Sequence, residues 1–287
     1  MLIASPQGKK PEPRVLDAYI MFGQSNMEGG DNTGTIPAEY QGSINTCYAP
    51  INRANVTNLN NYELNYLRFG INQNWNTPVR TTYCGPELAF AKDYTTATGK
   101  NIVLIKFSSG GSAMVDNGSP TPSGLWQWDA NPANLPSGVS YFQVLRDLYI
   151  IASINRFRAR GIELNFKAII QDQGETDMLD STRANNYQTV CTAFYNKLIE
   201  GVTPYSDSFA DIKVVIIHTG GPLYTNIANR TYYSQVRTAQ QNVVTTFNGL
   251  LVSKDALAPG TDGVHEDRAV QCAKGSLLST ALVSAGI

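Results

Sequence analysis

The sequence predicts an α/β protein: a three-layer α/β/α sandwich built on a central, mostly parallel five-stranded sheet. Three observations carry that prediction. Short, continuous apolar runs alternate along the chain with longer stretches of helical spacing. The runs lack the in–out alternation of a sheet with one wet face, so they suit strands covered on both sides. Four consecutive runs also end on glycines and polar residues, as at the carboxyl edge of an open parallel sheet.

The strands are expected at "AYIMF" (18–22), "IVLIKF" (102–107), "FKAII" (166–170), "IKVVII" (212–217) and "GLLVS" (249–253). Helical spacing covers 86–98, 139–161, 185–201, 232–248 and 267–284. The alternation implies right-handed β–α–β crossovers. Two long polar stretches interrupt it, 29–80 and 110–138, and loops of that length in a compact domain are usually functional. No repeat or change of composition divides the 287 residues, so one domain over 1–287 is expected, with 1–14 as a flexible N-terminal tail.

Composition narrows the classes. Hydrophobic residues are 42% and charged residues 16%, which suits a packed globule. A chain this long buries roughly 75% of its unfolded surface, so its core needs no metal or disulfide. The net charge is −1, and only Lys9-Lys10 resembles a basic block, which argues against nucleic acid or an anionic membrane as partner. No apolar run approaches membrane-spanning length. The apolar part of the first residues is too short for an intact signal peptide. Asn-x-Ser/Thr sequons at Asn55, Asn117 and Asn229 point only weakly toward a secreted or periplasmic protein. Cys47, Cys84, Cys191 and Cys272 show no metal-binding spacing. A Cys191–Cys272 bridge and four buried free thiols are both compatible with the sequence. No metal or organic cofactor is implied, and nothing fixes the oligomeric state.

The residues after the strands suggest chemistry. Gly23-Gln24-Ser25-Asn26 follows the first, Ser108-Ser109-Gly110-Gly111-Ser112 the second, Gln171-Asp172-Gln173-Gly174-Glu175 the third and His218-Thr219 the fourth. A serine hydroxyl needs an adjacent base, normally an imidazole oriented by a carboxylate. The chain has two histidines, His218 and His265. His265 lies three residues after Asp262 in "TDGVHED", a spacing that brings the carboxylate to one ring nitrogen and leaves the other for Ser25. His218 is the rival base. The Ser25 N–H, an N–H of the Gly110-Gly111 pair and the Gln173 amide are candidate donors to an oxyanion. The Gly-x-Ser-x-Gly elbow is absent, so Ser25 is mounted differently from the nucleophile of α/β-hydrolases.

"GQSNM" (23–27), "GGS" (110–112), "QGETD" (173–177) and "DGVH" (262–265) resemble the signature blocks of the SGNH-hydrolase superfamily. The variant resembled is that of carbohydrate esterase family six and the sialate O-acetylesterase-like enzymes, and "GPELAFAK" (85–92) is also similar. The blocks occur in family order. The resemblance implies an SGNH/flavodoxin-like fold and a serine esterase that removes O-acetyl groups from glycans, xylan or sialic acid through an acyl-enzyme. It implies Ser25 as nucleophile, His265 as base and then acid, Asp262 as orienting carboxylate, and Ser25, Gly111 and Gln173 as the oxyanion hole. Gln24, Asn26, Gly110, Glu175 and Trp126 become supporting or substrate-binding residues, with Glu175 holding the Ser25 loop. The chain departs from the pattern at Asp172, where relatives often carry an aromatic or histidine residue, so the pocket wall there differs.

Other readings remain. A lipase- or thioesterase-like member would need an apolar acyl groove, which the polar loops do not suggest. A non-catalytic carbohydrate-binding relative should have lost a triad member. Glu175 and Asp177 have a second reading as a solvated pair on a loop, although Glu175 as the holder of the Ser25 loop is preferred, and Trp126 and Trp128 read equally as loop packing or as platforms for sugar rings.

Overall fold

The computed structural model describes residues 14–29, 33–52, 62–68, 84–116, 128, 130 and 140–287. Seven strands form one sheet in the order β3-β2-β4-β1-β5-β6-β7. They are β1 (Arg14–Gly23), β2 (Ile44–Asn52), β3 (Tyr62–Leu67), β4 (Ile102–Ser108), β5 (Ile162–Asp172), β6 (Lys213–Ile217) and β7 (Leu250–Val252). Every pairing is parallel except β2–β3. The helices are α1 (Ser25–Glu28), α2 (Glu87–Thr98), α3 (Tyr141–Gln143), α4 (Ala152–Arg158), α5 (Ser181–Val202), α6 (Thr225–Ala228), α7 (Tyr233–Thr246) and α8 (Arg268–Ser284). A π-helical segment, Val144–Ile151, joins α3 to α4.

The class is as expected, and the strand count is not: seven strands replace five. The two additions, β2 and β3, fall inside the stretch read as a long polar loop. "INTCYAPIN" and "YELNYL" mix Asn, Thr and Glu with their apolar residues. β3 forms the antiparallel edge, where only one neighbour strand demands partners, so a continuous apolar run is not required. The expected tail at 1–14 lies outside the described residues except for Arg14, which opens β1.

β1 sits centrally, and its side chains separate the two cores. Leu16, Ala18, Ile20 and Phe22 pack with the π segment, α4, α5 and α7. Tyr19 and Met21 point to the other face, beneath α2 and α8. Cys191 belongs to the first core and Cys272 to the second, so the sheet stands between them and excludes that bridge. All four thiols are free and buried. Trp128 is fully buried against Phe22, Phe107 and Tyr141, which decides its role in favour of packing. Trp126 lies outside the described residues. Among the described residues no helix is long and apolar enough to cross a membrane.

The register brings the strand ends level. Gly23 pairs with Ser108 on one side and with Asp172 on the other. A Cβ on Gly23 would stand 2.0 Å from the Asp172 carbonyl oxygen, so only glycine allows β1 and β5 to run this close at their tips. The segments after β1, β4 and β5 therefore leave the sheet side by side.

Candidate active site

The turn after β1 forms the single helical turn α1, with Ser25 as its first residue. A first-turn N–H has no partner within its own helix, and among the described residues the Ser25 N–H has no acceptor. The Ser25 side chain faces His265: Oγ lies 2.9 Å from Nε2 across 240 positions of sequence. The other ring nitrogen, Nδ1, lies 2.5 Å from Asp262 Oδ2. Asp262 Oδ1 meanwhile accepts the backbone N–H groups of Val264 and His265, each at 2.8 Å. The D-x-x-H turn is thus folded around its own carboxylate. Partial burial alone would raise the Asp262 pKa, but the donors from His265 and Val264 outweigh it and hold the carboxyl below its ordinary value.

His218 is elsewhere engaged. Its Nε2 lies 3.3 Å from the Arg237 carbonyl. Burial and the Arg237 guanidinium push its pKa down to about 4.

The turn after β4 holds the glycine pair. Gly110 donates its N–H to Glu28 Oε2 at 2.8 Å. Gly111 takes φ +72°, in the left-handed region that favours glycine. Among the described residues its N–H has no acceptor. Two unengaged backbone donors, on Ser25 and Gly111, therefore accompany the Ser25 hydroxyl. Gln173 is fully buried, and its Nε2 donates to the Ser112 carbonyl at 3.0 Å. As placed, that amide fastens the Gly111 loop. Asp177 does the same further along, accepting the N–H groups of Met114 and Val115 at 2.9 and 3.0 Å. Burial pushes the Asp177 carboxyl up to about 6 despite those donors.

Asn26 ties the Ser25 turn to the other blocks. Its Nδ2 donates to Glu175 Oε1 at 2.8 Å and to the Val264 carbonyl at 3.1 Å. Its Oδ1 accepts the Glu266 N–H at 3.2 Å. Gln24 is buried as well, and its Oε1 accepts from the Thr176 hydroxyl at 3.3 Å. Glu175 and Asp177 are buried, so neither is a solvated loop charge. Burial, and then the nearby Asp172 charge, push the Glu175 carboxyl up.

Behind these loops lies a cluster that sequence reasoning missed. Asp172, Lys254, Glu266 and Lys274 are all buried, each at 1% exposure or less. Lys254 Nζ lies 3.1 Å from Asp172 and 2.8 Å from Glu266. Lys274 Nζ lies 2.6 Å from Asp172, donates to the Asn26 carbonyl at 2.7 Å and pairs with Glu266. Two cations and two anions balance. Burial opposes the charge on Asp172, but the two lysines outweigh it and hold the carboxyl below its ordinary range. Asp172 therefore points inward to the lysines and forms no pocket wall. The one hint in the sequence was a lysine within an otherwise uncharged stretch of α8, "AVQCAKGSLLSTALV".

The family described as carbohydrate esterase, sialic acid-specific acetylesterase matches residues 15–284. The chain belongs to that family. It is therefore a carbohydrate esterase, a carboxylic ester hydrolase. Solved structures share the fold of this esterase at low sequence identity. A protein from Arabidopsis thaliana is 18% identical with a TM-score of 0.64, over 93% of this chain and 98% of that one. NanS is 13% identical with a TM-score of 0.67, over 96% and 97%. A carbohydrate acetylesterase from Xanthomonas citri is 15% identical with a TM-score of 0.60, over 94% of this chain and 57% of that one. No curated protein matches the sequence. Among the described residues of the esterase, no three His, Cys, Asp or Glu side chains gather as a metal site.

Proposed function

We propose that this carbohydrate esterase removes O-acetyl groups from an acetylated carbohydrate through an acyl-enzyme on Ser25. The contact of Ser25 Oγ with His265 Nε2 at 2.9 Å carries the reading, because it pairs the half-buried serine that follows β1 with an imidazole already anchored by a carboxylate.

Ser25 Oγ attacks the acetyl carbonyl carbon as His265 Nε2 takes its proton. Asp262 keeps the other ring proton on Nδ1 and stabilises the imidazolium. The developing oxyanion meets the N–H groups of Ser25 and Gly111, each such donor being worth about 3–4 kcal/mol. Gln173 acts on that hole by holding the Ser112 carbonyl, one residue beyond Gly111. Collapse of the intermediate expels the sugar oxygen, which takes the proton from His265. Water then gives a proton to the same nitrogen and attacks the acetyl-serine, and as the Oγ–acyl bond breaks His265 returns that proton to Ser25 Oγ and acetic acid is released.

The test is Ser25→Ala, assayed for acetate release from a chromogenic acetyl ester and from an acetylated sugar. Activity should fall by about 10⁴-fold or more. Retention of more than a few per cent rejects the assignment.

A further inference from the structure

The turn after β4 is fixed at both ends. Ser109 donates its N–H to the Gly23 carbonyl at 3.0 Å, and its hydroxyl lies 2.8 Å from that of Tyr141. Ser112 closes the turn, giving its N–H and its hydroxyl to the Ser109 carbonyl at 3.4 and 2.7 Å. Gln173 holds the Ser112 carbonyl at 3.0 Å. Between these anchors stand Gly110 and Gly111, and of the two only Gly111 takes a positive φ, the pattern of a type II turn. Glycine tolerates either sign of φ, so the peptide joining them can turn over at little steric cost. The N–H of Gly111 belongs to that peptide, and its direction is what the anchored ends leave open.

Glu28 acts on the middle of that turn. It is the last residue of α1, three positions after Ser25 and so on the same side of the helical turn. Its side chain is buried, and Oε2 accepts the Gly110 N–H at 2.8 Å. A Cβ on Gly110 would lie 3.2 Å from that same oxygen and 3.5 Å from Ser25 Cβ. Gly110 thus packs against both the carboxylate and the serine. A hydrogen bond from a backbone N–H to a carboxylate is stronger than one between neutral groups. Here it joins the helix that carries the hydroxyl to the turn that carries the Gly111 N–H.

We propose that Glu28 is a positioning residue of this esterase: by holding the Gly110 N–H it keeps the glycine turn in the state that presents the Gly111 N–H to the oxyanion formed on Ser25. The inference rests on the acyl-enzyme reading above and adds the group that sets its oxyanion hole. The same bond engages Gly110 and leaves Gly111 as the donor of the pair. Acylation and deacylation both pass through an oxyanion, so loss of Glu28 slows the two steps together. KM then stays near its wild-type value while kcat falls.

The experiment measures kcat and KM for acetate release from a chromogenic acetyl ester in Glu28→Leu, Glu28→Gln and Glu28→Asp, with rates counted per folded molecule. Leucine fills the space without an acceptor, and kcat should fall about 10- to 100-fold with KM little changed, part of the loss expected for a whole oxyanion donor. Glutamine keeps an acceptor at the same reach and should stay within about threefold of wild type. Aspartate keeps the charge but ends one carbon short, so it should lose activity as leucine does, and it carries the test if the leucine variant does not fold. A brace that served stability alone would lower the folded fraction and leave kcat per folded molecule unchanged, and that result overturns the proposal. So does a rise in KM at constant kcat, or a glutamine variant as slow as the leucine one. These outcomes leave the acyl-enzyme reading standing, whereas a Ser25→Ala variant that keeps its activity overturns both.

Discussion

His265 and Glu266 are consecutive residues with opposite fates. His265 and its partner Asp262 stay open, with side chains 33% and 48% exposed. Glu266 turns inward to Lys254, Lys274 and Asp172, a cluster closed to water. Both regions join a carboxylate to a nitrogen base or cation, yet the surroundings give them different work. A wet pair gains little stability from attraction, because water screens it and solvates either partner alone. It is free to exchange protons and meet a substrate. A dry cluster cannot be opened cheaply, because any member left alone is an unsolvated charge. The first region suits the proposed chemistry, and the second holds its surrounding segments still.

That contrast makes its strongest prediction at the exposed pair. His265→Ala should lower kcat by about 10⁴- to 10⁶-fold while the melting temperature barely moves. His218→Ala should cost less than about tenfold, since that ring is engaged with the Arg237 carbonyl. Equal losses in the two variants would erase the distinction. Asp262→Asn should cost about 10²- to 10⁴-fold in kcat, again with little change in stability by thermal melting.

The cluster should answer in the reverse way. Lys274→Met leaves one cation against two anions and should destabilise the fold by about 3–5 kcal/mol in denaturant titration. Adding Glu266→Gln restores the balance and should return part of that stability. The double variant should still turn over more slowly per folded molecule than the wild type, because Asn26 keeps no cation on its carbonyl. Full recovery of kcat would mean that the cluster has no hold on the Ser25 turn.

The smallest effect is a pH dependence at Asp177. Its carboxyl is fully buried and titrates at about 6 in the folded protein, above its ordinary 3.8. A raised acid pKa means that folding favours the protonated form. Its contribution is therefore complete below about pH 4, declines as pH rises toward 6, and stays constant beyond. Wild type should lose about 2–3 kcal/mol relative to Asp177→Asn between pH 4 and 7, read from denaturant midpoints.

Legibility in the sequence followed the same divide between dry and wet. Strands buried on both faces could be read directly: "IVLIKF" became Ile102–Ser108 almost residue for residue. β2 and β3 could not, because their polar residues gave neither a continuous run nor a clean alternation. Ser25, Asp262 and His265 stood out because their chemistry demands fixed residue types at short spacing. Lys254 and Lys274 did not, since a lysine in a helix or after a strand ordinarily reads as a solvated charge. Trp128 was ambiguous for a related reason. An aromatic in a Gly/Pro-rich loop suits a ligand face as well as a core, and only the rings around it decide.

The long separation between the proposed nucleophile and its proposed base bears on how activity first appears. Ser25 is made early, while His265 and the Lys274 that steadies the serine turn are made some 240 residues afterwards. A nascent chain on the ribosome can assemble much of the central sheet and still hydrolyse nothing. On the proposed mechanism the enzyme switches on only when the His265 turn and α8 have docked, so an immature copy presents an unarmed serine.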